Sequence, residues 1–205
     1  MGQLIDVMPA LEGDDEDRGA PRVDRVRAEL AAADMLEALG VDLSADDLAD
    51  TPRRIARMYE DLLTPPPFSP TTFVNDAQYD EMVLVRDIPF TSLCAHHLLP
   101  FSGIAHVGYL PGERIIGLSK LARIVTHFAR NLQVQERLTK QVAHWLKREL
   151  RPRGVGVVLK AEHQCMTIRG AQAVGSTTVT STMHGLLRRN AASREEFLAL
   201  CGEKA

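Results

Sequence analysis

Two short segments hold residues that can do chemistry together. Ser92-Leu93-Cys94-Ala95-His96-His97 is answered far downstream by His163-Gln164-Cys165. Cys94, His97 and Cys165 can hold one zinc ion, because thiolate and imidazole are the ligands that suit it. Three protein ligands leave the fourth tetrahedral position open to water, which is the catalytic pattern. His96 and His163 sit one and two residues from a ligand, where imidazoles can move protons near neutral pH for a metal-assisted hydrolysis. Spacing alone leaves two plainer readings open. One is a structural zinc whose fourth ligand lies elsewhere, and the other is a buried cysteine beside unrelated histidines. Extended backbone over 163–165 would put His163 and Cys165 on one face. The plainer role for such a histidine is to orient a ligand.

Weaker signals lie between these segments. Ser119-Lys120-Leu121-Ala122-Arg123 opens a predicted helix just after Gly117. Free backbone N–H groups at a helix start, with Lys120 and Arg123 one turn apart, would cradle a phosphate. Arg169 is a further anion candidate. Glu136, in Gln133-Val134-Gln135-Glu136-Arg137, can accept two parallel hydrogen bonds from a planar donor pair such as the guanine edge. Each has a bland rival: a solvated basic face, or a glutamate favoured by the helix dipole. His106, His127, His144 and His184 show no comparable grouping and read as structural or surface residues.

The elements that must position these groups follow from period and punctuation. Val26, Leu30, Ala33, Leu36 and Leu39 recur at helical spacing, with Gly40 as the stop. Ser44 with Asp47 resembles a capping box. Thr51-Pro52 starts a second helix, which ends before Pro65. Strands are expected over 82–88, 104–110, 155–163 and 173–183, with the Cys-Ala-His-His segment in the connection between the first two. Two helices lie between the second and third strands, and a short one covers 193–201. This order is α+β, with antiparallel hairpins and helices covering one face.

Composition narrows the class. With 45% hydrophobic and 25% charged residues, the 205-residue chain is that of an ordinary globular protein. No apolar run is long enough to cross a bilayer, and the start lacks a secretory pattern, so the expectation is a cytoplasmic protein with no membrane partner. Three cysteines give no disulfide framework, and Cys201 has no histidine neighbour. Residues 1–20 carry six acids and one base, a balance of −5, which leaves +2 for the rest of a chain whose net charge is −3. Nothing there argues for nucleic acid. Three parts are expected: a disordered acidic tail over 1–21, a helical extension over 22–70 and a catalytic domain over 71–205.

Taken together, the segments resemble GTP cyclohydrolase I. The resemblance spans roughly 30–200 and runs in order through Thr51-Pro52-Arg53-Arg54, Cys94-Ala95-His96-His97, Gly117 to Arg123, Gln133 to Thr139 and His163-Gln164-Cys165-Met166. Arg169-Gly170 and Thr178-Val179-Thr180-Ser181 continue it. It implies the tunnelling fold, an antiparallel four-stranded sheet with two helices on one face. Sheets of several subunits join into a barrel, and two rings stack into a homodecamer with active sites at subunit interfaces. It implies hydrolysis of GTP to 7,8-dihydroneopterin triphosphate and formate, with Zn2+ on Cys94, His97 and Cys165. His163 would protonate the purine nitrogen as the imidazole ring opens, and His96 would assist proton transfer there and on the ribose. Ser119 is expected near ribose and phosphates. Lys120, Arg123 and Arg169 would bind the triphosphate, with Arg54 contributed by another subunit. Glu136, supported by Gln135, would read the guanine edge. The family usually carries Glu where this chain has Ala95, which marks a specialised enzyme whose ligands and histidines are intact.

Overall fold

The computed structural model describes residues 23–202. The acidic tail expected over 1–21 lies outside them. The chain divides into two compact units between Ala56 and Arg57. In the first, helix α1 (Arg25–Ala38) is capped by Asp24, whose carboxylate accepts from the backbone N–H of Arg27 at 3.0 Å. The apolar residues expected on one buried face are mostly exposed: Val26 by 71%, Leu30 by 61% and Leu39 by 73%, with only Ala32 buried. The period is helical, but among the described residues that face stays largely exposed. The expected capping box at Ser44 is absent, because the Ser44 N–H and hydroxyl both donate to Asp42 in a tight turn. Helix α2 (Thr51–Leu63) starts with Thr51-Pro52, as expected, and spans the boundary between the units.

The second unit is built on a sheet. Strands β1 (Thr72–Val74) and β4 (Arg114–Ile116) form a small antiparallel pair. The main sheet holds β2 (Val83–Cys94), β3 (Pro100–Leu110), β6 (Gly154–His163) and β7 (Thr178–Gly185), all antiparallel to their neighbours. A two-residue strand, β5 (Leu132–Gln133), adds to β2 in parallel, so the order is β5-β2-β3-β6-β7 and the sheet has five strands rather than four. β2 also runs past the expected end at Ile88 as far as Cys94. Pro89 cannot donate to a ladder, which hides the continuation in the sequence, but among the described residues β2 has no neighbour on its other side there.

Helices α3 (Leu118–Ala129) and α4 (Gln135–Leu150) cover one face. Val107, Tyr109, Val155, Val157 and Leu159 pack there with Leu121, Ile124, Val125, Leu138, Val142 and Leu146, all essentially excluded from solvent. The other face is not bare, which corrects the expectation of helices on one face alone. After the short turn α6 (Leu186–Arg189), helix α7 (Ala191–Leu200) sets Phe197 against Leu110, Val158, Leu187 and Cys201. Gly108 and Gly156 are paired across β3 and β6, and a Cβ on Gly156 would come within 2.8 Å of the Phe197 ring. Two glycines therefore make the flat seat that the aromatic ring occupies. Another histidine pair emerges: His144 of α4 and His184 of β7 stack with centroids 4.9 Å apart. Burial comes first in holding both imidazole pKa values down, and Lys140 and Lys147 act in the same direction on both.

Candidate active site

The site gathers where β2, β3 and β6 end together. Phe101 of β3 pairs with His163, the last residue of β6, and Ser92 of β2 pairs with Phe101. Cys94 closes β2. The Ala95-His96-His97 turn is then pinned at three points: Leu98 N–H donates to Cys94 O at 2.9 Å, Cys94 N–H to Leu99 O at 2.9 Å, and Ala95 N–H to Gln133 O at 2.8 Å. Leu98 pays for the tightness of this turn with φ +56°, in the left-handed region. The Tyr59 hydroxyl donates to its carbonyl at 3.3 Å.

Residues 163–165 are not extended. His163 precedes a single helical turn, α5 (Gln164–Thr167), which rotates Cys165 back toward Cys94. The juxtaposition expected from strand alternation is thus achieved by a strand end and a helical turn. The Cys165 Sγ lies 3.9 Å from the Cys94 Sγ, and the His97 Nδ1 lies 3.8 Å from the latter. One ligand atom from each of Cys94, His97 and Cys165 falls within 4.8 Å of the others, so the three can hold one metal ion. His96 Nδ1 also approaches Cys94 Sγ at 3.8 Å, with its ring nearly perpendicular to that of His97. Burial pushes the Cys165 thiol up, the neighbouring Cys94 adds to this, and Arg169 pulls it the other way. A bound cation would reverse the balance, since a coordinating thiol is deprotonated outright.

His163 is held on two sides. Its ring stacks on Phe101, with centroids 4.5 Å apart and planes within 3°. Its Nε2 meets the Gln135 Oε1 at 2.8 Å. Burial lowers the imidazole pKa, while the Glu136 carboxylate opposes that shift. Gln135 itself is 1% exposed, with its amide bonded within the protein. Glu136 is exposed on the first turn of α4. Phe101 is not marked by any sequence motif, because no local pattern distinguishes a residue that only supports another.

The remaining predicted residues are placed less closely. Ser119, Lys120 and Arg123 lie on the first two turns of α3, where Gly117 offers no side-chain cap. Among the described residues, none of the three has a side-chain hydrogen bond to Cys94, His97, Cys165 or His163. Arg54 lies in the first unit and pairs with Asp50 at 3.8 Å.

The similarity of this chain to known proteins matches the arrangement. The family model described as GTP cyclohydrolase I matches residues 28–202. The chain belongs to the GTP cyclohydrolase I family. It is 50% identical over 182 residues to GTP cyclohydrolase 1 of Mycobacteroides abscessus, covering 86% of this chain and 89% of that one. The enzyme of the same name from Carboxydothermus hydrogenoformans is 46% identical over 187 residues, covering 89% and 97%. That of Aquifex aeolicus is 47% identical over 178 residues, covering 87% and 97%. Among solved structures, an archaeosine synthase QueF-like protein in its apo form aligns at TM-score 0.43 and 16% identity, over 51% of this chain and 93% of that one. That last likeness is too slight to argue from.

Proposed function

We propose that this chain hydrolyses GTP to 7,8-dihydroneopterin triphosphate and formate, using zinc held by Cys94, His97 and Cys165. The observation that carries the reading is the Cys-His-Cys group with two further histidines beside it, in a member of this family. The donor set fits the ion. Zinc at about 2.3 Å from sulfur and about 2.0 Å from nitrogen sets tetrahedral ligand separations of about 3.8 Å between sulfurs and about 3.5 Å from sulfur to nitrogen. The separations here are 3.9 Å between the sulfurs and 3.8 Å from sulfur to nitrogen. When bound, zinc supplies a Lewis acid that brings the pKa of a coordinated water near 7.

The side chains do the rest of the work. His163 gives a proton to the purine nitrogen as the imidazole ring opens, and His96 carries protons in that step and on the ribose. Glu136 reads the guanine N1–H and N2–H pair, with Gln135 beside it; adenine offers no such pair and would leave the carboxylate unmatched. Ser119 contacts ribose and phosphates. Lys120, Arg123 and Arg169 neutralise the triphosphate, joined by Arg54 of another subunit. Among the described residues, the α3 side chains make no hydrogen bond to the Cys-His group, which suits a site completed by a neighbouring copy. The open outer edge of β7 and the exposed apolar residues of α1 support the same assembly, a homodecamer of tunnelling-fold subunits. No helix among the described residues is long and apolar enough to cross a membrane, which suits a cytoplasmic enzyme.

The reading is tested by comparing GTP, GDP and ATP as substrates of the zinc-loaded protein. Formate should be released from GTP, with ATP lower in kcat/KM by at least about 100-fold. Equal turnover of ATP, or none of GTP, would overturn it.

A further inference from the structure

Gln135 sits inside a hydrogen-bond chain whose direction is forced from end to end. Its side-chain nitrogen lies 3.1 Å from Leu159 O and 3.0 Å from Thr178 O, two carbonyls that can only accept. Turning the amide over would set oxygen against oxygen twice, so the nitrogen must face them. The same nitrogen lies 3.1 Å from the Thr180 Oγ1. The Thr139 hydroxyl donates to the backbone carbonyl of Gln135 at 2.7 Å, which commits its only proton. The 2.7 Å contact between the Thr139 and Thr180 hydroxyls is therefore a donation by Thr180, and the two Gln135 amide protons are shared among three acceptors, Leu159 O, Thr178 O and Thr180 Oγ1. With every other group assigned, the Gln135 Oε1 faces His163 as an acceptor, and the His163 Nε2 must carry a proton.

Phe101 completes the cradle. It is wholly buried, stacks in parallel on the His163 ring and pairs with His163 across β3 and β6. The hydrogen bond fixes one edge of the imidazole and the stack fixes its plane. Among the described residues, Nδ1 has no hydrogen-bond partner. It can gain or lose a proton without disturbing the chain behind Nε2.

We infer that Phe101 and Gln135 are positioning residues that hold the neutral His163 ring as its Nε2–H tautomer, leaving Nδ1 as the nitrogen that takes up the proton released by the attacking water and passes it to the purine nitrogen. The inference deepens the proposed function and rests on it for the identity of the substrate. The tautomer itself does not depend on that reading. It also assigns the Gln135 side chain to His163 rather than to the guanine edge, which is left to Glu136.

The first test reads the tautomer in the wild-type protein itself. Ring nitrogen chemical shifts of 15N-histidine-labelled, zinc-loaded protein, with the His163 signals located by their loss in His163→Gln, should show a protonated Nε2 and an unprotonated Nδ1 in the neutral ring. The opposite tautomer, or a rapid mixture of both, would overturn the inference even if GTP is turned over. The kinetic test uses Gln135→Ala and Phe101→Leu. Gln135→Ala should mix the tautomers and lower kcat by about 10- to 100-fold, with KM for GTP within twofold. Phe101→Leu should keep the tautomer and lower kcat less, and Phe101→Tyr should restore it. A Gln135→Ala protein with unchanged kcat and a raised KM would make Gln135 a base-reading residue and overturn the assignment. If the wild-type protein leaves GTP untouched, the proposed function fails, and the nitrogen shifts still decide the cradle.

Discussion

Gly103 is the point at which the fold and the site can be perturbed together. It pairs with Phe90 of β2 on one side and Ala161 of β6 on the other, two residues from the Phe101–His163 pair. A Cβ built on it would lie 1.9 Å from the Lys160 carbonyl oxygen and 2.6 Å from the Ala161 Cα, where real contacts do not fall below 3.0 Å. Both obstacles are backbone, so no rotamer change relieves them. Gly103→Ala must part β3 and β6 locally by about 1 Å, the difference between 3.0 and 1.9 Å. Over-packing of this kind costs about 1–3 kcal/mol, and stretching a ladder hydrogen bond adds about 1 kcal/mol. A displacement of about 1 Å at reacting groups lowers a rate by about 100-fold. Urea unfolding monitored by circular dichroism, beside kcat for formate release, reads both effects. The control is Gly156→Ala, at the far end of the same strand pair, where the obstacle is the Phe197 ring at 2.8 Å. It should lose stability with kcat little changed. A Gly103→Ala protein with wild-type stability and full activity would refute the claim that this close approach sets the register behind His163.

Three further outcomes follow from the same structure. Phe197→Ala, which empties a fully buried ring site far from the Cys-His group, should cost about 3–5 kcal/mol in urea unfolding and leave the metal affinity unchanged. Glu136→Gln, at an exposed position, should leave thermal stability unchanged and lower kcat/KM for GTP by about 10- to 100-fold, the loss of one charge-assisted contact of about 1.5–3 kcal/mol. The stacked His144 and His184 have pKa values below 6.5 in the folded chain, so between that lowered value and 6.5 the unfolded chain binds more protons. Their contribution to stability is therefore complete above pH 6.5 and is lost as pH falls through that window. The doubly substituted His144→Gln, His184→Gln protein should show a flatter dependence of urea midpoint on pH between 5 and 7.5.

Much of the architecture was legible because its signals are local. The apolar period of α3 and α4, the Thr51-Pro52 start and the Val-rich β6 each carry their own evidence within a few turns of chain. Cys94-x2-His97 is legible for the same reason. What escaped depends on pairing between distant segments. The continuation of β2 through Pro89 to Cys94 makes sense only beside β3, whose register it follows. Phe101 looks like any strand aromatic until the β3–β6 register sets it on His163. Gln135 is read from sequence as a neighbour of Glu136, yet its side chain turns inward to Leu159, Thr178 and Thr180. The placement of Cys165 was expected for the wrong geometric reason, since one helical turn after β6 does what an extended strand was expected to do. The face of α1 shows the converse limit. Period reveals that an apolar stripe exists, but only the surrounding chain, or another copy of it, decides whether that stripe is buried.

The central claim is that the Cys-His-Cys group and His163 form one hydrolytic centre for GTP. It is tested most directly by following formate release and the ultraviolet absorbance of the dihydropterin together, in zinc-loaded protein, zinc-stripped protein and His163→Ala. Both signals are expected in equal amounts from the loaded protein, neither after chelation, both again on adding one zinc per chain, and neither from zinc-loaded His163→Ala. Full activity in the zinc-stripped protein, or in His163→Ala, would contradict it.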